Sequence, residues 1–246
     1  MRRWVVPVTT GVLLAATGAA ADPIRLVTGT WAPFTGREQP GGGPVTRLVR
    51  TAYERAGHEV KVVYRPWKRA EQAVRRGTTE AAFPYTRNGA RQERYVYSDP
   101  IFTLPIVPMT RAGDAGRITS LADMRGLHTC APQGWSLGIA KLDRMAADGT
   151  IHVQRTRAYA QCLKLLDRGR IDFLVGEPPR LRDQVKRVLG DMAPVHLGDV
   201  VLSRSSFHLI FDKTDPNVTE AVARANAAIA TLDGSTEYRS RVEEKP

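Results

Sequence analysis

Apolar positions in this chain switch between two periods, and the order of the switches occurs twice. Ile24, Leu26 and Val27 read as a strand that runs into a turn-rich stretch over 31–43. From Val45 the residues Leu48, Val49, Ala52 and Tyr53 recur at helical spacing, and Gly57 stands where a left-handed cap ends a helix. Residues 59–64 then alternate as a strand. Pro66 opens a second helix with Trp67, Ala70 and Val74 on one face, and Gly77 closes it before a strand over 81–85. The same grammar restarts with a strand over 127–131, a helix over 136–147, a strand over 151–154, a helix over 158–167 and a buried strand over 171–175. Strands alternating with helices of this length predict an α/β fold in two lobes, each a mainly parallel sheet flanked by helices.

Extended segments over 101–110 and 206–211 connect the two halves, and an Ala-rich helix is expected over 217–232. The chain therefore crosses twice and makes a two-strand hinge, with lobe 1 over 22–108 and 205–246 and lobe 2 over 109–204. Ligands of open α/β sheets bind at the carboxyl ends of the strands, so the cleft between the lobes is the expected site.

Arg2 and Arg3 precede an apolar run from Trp4 to Ala16, and Ala19-Ala20-Ala21 follows. A basic start, a short apolar segment and small residues at a cleavage point predict a secretory signal peptide over 1–21, which places the mature protein in the periplasm; the competing reading is a retained anchor. The formal charge of +11 becomes +9 without Arg2 and Arg3, which favours acidic partners kinetically. The arginines are scattered and lack a polybasic run with interleaved aromatics, so no nucleic-acid partner is expected.

Cys130 and Cys162 are the only cysteines, and an oxidising compartment makes one disulfide the default expectation, against two buried thiols. Such a bridge would pin a helix of lobe 2 to its sheet, worth roughly 3 kcal/mol in the chain-entropy account. The five histidines form no paired motif, so no metal is expected, and no cofactor fingerprint occurs.

Three stretches carry a resemblance. Arg91 stands seven residues before Ser98 in Tyr97-Ser98-Asp99-Pro100, downstream of Glu80 at the start of a strand. Leu166-Asp167-Arg168-Gly169-Arg170-Ile171-Asp172 precedes the last strand of the second half, and Trp31-Ala32-Pro33-Phe34 follows the first strand. In this order they resemble the family 3 extracellular solute-binding proteins, which implies a type II periplasmic-binding-protein fold and an arginine, here Arg91, that holds a ligand carboxylate through paired N–H donors.

The resemblance implies further site residues. Thr86 would add a hydroxyl or N–H beside Arg91, and the loop Gln133-Gly134-Trp135-Ser136 would point N–H groups at an anion with a helix dipole behind them, or else be an ordinary turn. Glu177 is placed to meet a ligand cation, or is a surface carboxylate before a Pro178-Pro179 turn. Trp31, Trp67 and Tyr85 offer rings for stacking, with core packing the alternative for Trp67. Where relatives carry acids at the start of the first helix this chain reads Gly43-Pro44-Val45-Thr46-Arg47, which shifts the expected ligand toward an anion.

The leading expectation is a monomeric, non-enzymatic solute-binding protein that closes on a small polar, carboxylate-bearing ligand (an amino acid or organic anion) and presents it to an ABC transporter permease in the inner membrane. One alternative is an accessory binder for a periplasmic enzyme or complex. Another is a dehydratase resembling those that act on cyclohexadienyl acids, with Glu177 or Glu80 as acid/base and Arg91 holding the carboxylate.

Overall fold

The structure is a computed structural model and describes residues 22–232; the expected signal peptide lies outside them. In the first half β1 (Ile24–Thr28) leads to α1 (Pro44–Arg55), β2 (Val60–Tyr64), α2 (Trp67–Arg75) and β3 (Ala81–Tyr85), followed by the short α3 (Gly89–Gln92) and β4 (Tyr95–Tyr97). β1 lies between β2 and β3 and is parallel to both. The helical spacing read from Val45 buries Val45, Leu48, Val49, Ala52 and Tyr53 on one sheet face. Burial of each such large side chain contributes about 1.5–3 kcal/mol. α2 covers the other face through Ala70, Ala73 and Val74.

Two ten-residue strands join the halves: β5 (Phe102–Arg111) and β10 (Ser203–Asp212). They pair antiparallel from Ser203↔Ile106 to Phe207↔Phe102. Beyond that shared stretch β10 continues onto β3 and β4, whereas β5 continues onto β8 (Leu174–Gly176) and β9 (Val195–Leu197). The sheet is therefore parallel among β1, β2 and β3 and antiparallel where the chain crosses. In the second half β6 (His128–Pro132) and β7 (His152–Thr156) form a parallel pair, and a Thr129↔Phe173 bridge ties β6 to the segment entering β8. α4 (Ala140–Ala147), α5 (Tyr159–Asp167) and α6 (Pro178–Leu189) complete this half, and α7 (Val218–Ala230) returns to pack on α1. Buried apolar side chains up to Leu104 and from Phe207 onward form the first-half clusters, and those from Ile106 to Val195 form the second-half clusters.

Two expected elements are corrected. The helix expected over 136–147 begins only at Ala140, because Gly138 adopts a φ of +84° and Asp143 draws the preceding loop onto itself. Pro178 and Pro179 do not make a turn; they open the twelve-residue α6, where the missing proline N–H is one that a helix start leaves unpaired anyway. The short strands β4 and β9 carry too few residues to show a period.

Cys130 on β6 and Cys162 on α5 form the expected disulfide, with Cα atoms 5.4 Å apart. Reduction, followed by urea unfolding, is expected to lower stability by about 3 kcal/mol, and an unchanged midpoint would contradict a stabilising role.

His208 is buried on β10, where its Nδ1 lies 2.8 Å from the Ser98 carbonyl while Ser98 Oγ accepts the Leu209 N–H. Burial holds its pKa below the ordinary value; the contact with Ser98 opposes this and the nearby Arg87 charge adds to it. The folded state thus disfavours a proton that the unfolded chain accepts near pH 6.5. Stability from this group is complete above that pH and is lost as pH falls toward the lowered folded value, by at most about 1.4 kcal/mol per pH unit. Between pH 7.5 and 5.5 the wild type is expected to lose more unfolding free energy than His208→Asn does, and parallel slopes would rule out the titration.

Candidate ligand site

The carboxyl ends of β1, β2 and β3 carry one group of expected site residues. β3 delivers Tyr85 to the face covered by α2, although strict alternation would place it with Ala81 and Phe83. A register irregularity between His208 and Ile210 on the neighbouring β10 accompanies the switch. The Tyr85 hydroxyl donates to the Trp67 carbonyl at 3.3 Å, and the two rings meet edge to face with centroids 5.3 Å apart. Burial raises the Tyr85 pKa, and the Glu71 carboxylate adds to the shift, so the phenol is a hydrogen-bond donor at neutral pH.

Arg91 on α3 folds back over this ring, its guanidinium carbon 4.9 Å from the Tyr85 centroid. It donates from Nε to Glu71 at 3.1 Å and from Nη1 to the Thr86 carbonyl at 3.4 Å. Asn88 caps α3 by accepting the Arg91 N–H, which fixes where the side chain begins. The pair is half-buried, with 30% of the Arg91 and 29% of the Glu71 side chain exposed. Arg91 is thus aimed, desolvated in part and already holding a carboxylate. Thr86 contributes its backbone oxygen to that clamp.

Glu71 was not among the residues read from sequence. Its signal was the helical offset of four from Trp67, which puts both on one side of α2. Gly29 was missed as well. It follows β1 directly, and a Cβ there would stand 2.3 Å from Trp67 Cε2, so the indole lies directly on its backbone. Trp31 does not join this group; it packs on Phe34 and Phe207, with centroids 4.3 and 4.9 Å away. At the acid-free start of α1, Thr46 is buried and lies 3.3 Å from the Tyr64 hydroxyl.

In the second half Gln133, Gly134, Trp135 and Ser136 follow the carboxyl end of β6 and line one open depression of about 530 Å³ with Asp143 and Arg155. The Trp135 N–H reaches the Pro132 carbonyl across a turn in which Gly134 takes a φ of +76°, a conformation that favours glycine. Part of the backbone in and beside this loop is bonded within the protein. The Gln133 N–H goes to Thr156, the Leu137 N–H to Asp143 and the Gly138 N–H to Ser136, while α4 starts four residues beyond Ser136. Asp143, in the first turn of α4, supplies the negative charge that the helix dipole favours there. Trp135 itself is 56% exposed and stands out from this loop.

Glu177 immediately precedes α6, and its carboxylate is bound by Arg180 at 2.8 Å, with Arg180 in turn over the Tyr159 ring. Glu80 pairs with Arg224 at 2.7 Å and precedes the amino end of β3, whereas Arg91 follows its carboxyl end. Five strand residues span roughly 17 Å, which sets Glu80 and Arg91 toward opposite ends of β3.

No family model and no curated protein matches the chain. Among solved structures it is similar to an amino-acid ABC transporter substrate-binding protein from Streptococcus pneumoniae bound to L-arginine, with a TM-score of 0.65, 17% identity, and coverage of 90% of this chain and 93% of that one. It is also similar to substrate-binding domain 2 of GlnP from Lactococcus lactis in an open conformation (TM-score 0.67, 17% identity, 91% and 94% covered). A third similar structure is an ancestral amino-acid-binding protein described as a precursor of cyclohexadienyl dehydratase (TM-score 0.62, 18% identity, 90% and 94% covered). The fold is the type II periplasmic-binding-protein fold. The resemblance read from Arg91, the Gly169-Arg170 stretch and Trp31-Ala32-Pro33-Phe34 agrees with these structures in fold.

The seat of Trp67 on Gly29 is open to test. Gly29→Ala is expected to push the indole off Tyr85, red-shifting tryptophan emission and lowering the melting temperature. The same substitution in a Trp67→Ala background should cost much less, and equal costs in both backgrounds would show that the two residues do not interact.

Proposed function

We propose that this chain is an exported solute-binding protein of the family 3 type that captures a small polar, carboxylate-bearing ligand by closing its two halves and delivers it to an ABC transporter permease. The observation that carries this reading is the Arg91 clamp at the carboxyl end of β3: a guanidinium half-buried over Tyr85, fixed by Thr86 and already complementary to a carboxylate. The carboxyl ends of strands are where open α/β sheets take their ligands. Solved structures of the same fold include proteins bound to arginine or glutamate.

In this mechanism Glu71 holds the guanidinium in the ligand-free state. An incoming carboxylate takes over the N–H donors of Arg91, and Glu71 is released to meet an ammonium or water. Trp67 supplies apolar area beside the carboxylate. The loop from Gln133 to Ser136 contributes from the other half, with Trp135 as the ring that covers the ligand on closure. A ligand that touches both halves binds the closed state more tightly than the open one and so shifts the population toward closure. Glu177, neutralised by Arg180, bears on the ligand only if a ligand cation displaces that arginine.

Isothermal titration against amino acids, small organic acids and polyamines is expected to find a saturable carboxylate ligand. Arg91→Ala should weaken it by about thirtyfold or more, equivalent to about 2 kcal/mol. Glu71→Gln removes the internal competitor and should tighten a plain carboxylate several-fold. A wild-type protein that gives no heat with any of these compounds, or whose affinity ignores Arg91→Ala, overturns the reading.

A further inference from the structure

A second concavity lies apart from the Arg91 clamp, between β7 and the outer side of α5. It is an open groove of about 490 Å³ lined by Gln154, Arg155 and Thr156 from the strand, Arg157 just after it, Gln161, Lys164, Leu165 and Arg168 from the helix side, and Gln133 at one end. Every polar side chain in that lining carries a hydrogen-bond donor group, four are cationic, and no carboxylate is among them. The single acid of α5, Asp167, is outside the lining.

Elsewhere several arginines carry a carboxylate partner: Arg91 with Glu71, Arg117 with Asp172, Arg180 with Glu177 and Arg224 with Glu80. Among the described residues none of Arg155, Arg157, Lys164 and Arg168 makes an ion pair. The dipole of α5 favours Lys164 and Arg168 near its carboxyl end, but it gives no reason for Arg155 on the facing strand and Arg157 just after it. Arg155 is also fixed in place, donating from Nη1 to the Trp135 carbonyl at 2.6 Å and toward Pro132 at 3.4 Å. Arg157 is held through its N–H to Gln161 Oε1 at 2.9 Å.

We infer that this groove is a binding site for an oxyanion carrying two or more negative charges. Arg155 lies on β7 and Arg157 just after its end, and helix residues four apart rise about 6 Å. The cations therefore form two facing rows rather than one point, and a single monovalent anion neutralises only one corner. Phosphoryl or clustered carboxylate groups accept paired N–H donors from guanidinium. Because Gln133 and Arg155 line both this groove and the depression of Gly134, Trp135 and Ser136, an anion seated here pulls directly on the loop assigned to the other ligand.

The test titrates the mature protein with tripolyphosphate, citrate and acetate at fixed ionic strength. It also measures sedimentation with vesicles of phosphatidylglycerol or of phosphatidylcholine alone. The expected result is one saturable site for tripolyphosphate or citrate and none for acetate, with Arg157→Gln/Arg168→Gln weakening it at least tenfold. The control Arg25→Gln/Lys61→Gln, which removes two exposed charges from the first half, should leave it unchanged. Vesicle binding that tripolyphosphate displaces assigns the anion to lipid headgroups, and polyanion binding without vesicle binding assigns it to a free solute. Absence of saturable binding to either, equal loss in the control, or full affinity in the groove variant overturns the inference. Arg91→Ala should not change polyanion affinity, so failure here is separable from failure of the proposed transport ligand.

Discussion

The antiparallel contact between β5 and β10 is the constraint on which the molecule depends. Over five residue pairs, from Ser203↔Ile106 to Phe207↔Phe102, two strands share one ladder, and each then leaves it for a different half. Phe102 and Phe207 stack there with centroids 4.7 Å apart, and Trp31 and Phe34 pack beside them. The core of the first half is therefore built against the segment that joins it to the second. The two halves are thus joined through paired strands rather than through a single linker.

Charge is arranged with equal economy. The chain is strongly basic, with 36 Lys and Arg against 25 Asp and Glu, yet several arginines that pack between elements, Arg91, Arg117, Arg180 and Arg224, sit on a carboxylate. Arg91 is the telling case: its partner Glu71 is half-exposed and therefore replaceable, whereas Arg180 and Glu177 are more deeply enclosed, with 17% and 12% of their side chains exposed. An exposed ion pair is worth little and is easily exchanged, while separating an enclosed one strands a charge. That contrast is why the proposed ligand contact is Arg91 rather than Glu177.

Much of the architecture was legible because it rests on period. The spacing of Val45, Leu48, Val49 and Ala52 determines a helix face wherever the chain goes, and β3 and the long strands β5 and β10 follow from their apolar patterns. The loop before α4 was misread for a different reason. Ser136 resembles a helix cap locally, but Asp143, seven residues later, claims both its hydroxyl and the Leu137 N–H, and that preference is settled by the folded loop. The Arg91–Glu71 pair was invisible because its members are twenty residues apart on different helices. Arg91 was found by spacing to Ser98, and Glu71 looked like any exposed acid on an amphipathic helix.

The sequence alone determined the alternation of strands and helices, the two crossings and the single disulfide partner, because each follows from local periodicity or from there being only two cysteines. Tertiary structure alone decided which carboxylate faces which guanidinium, that Trp67 lies on Gly29, and that Arg155, Arg157, Lys164 and Arg168 share one groove. Those outcomes depend on distances between elements remote in the chain, and such distances exist only once the sheet and its crossing strands have fixed where each element ends.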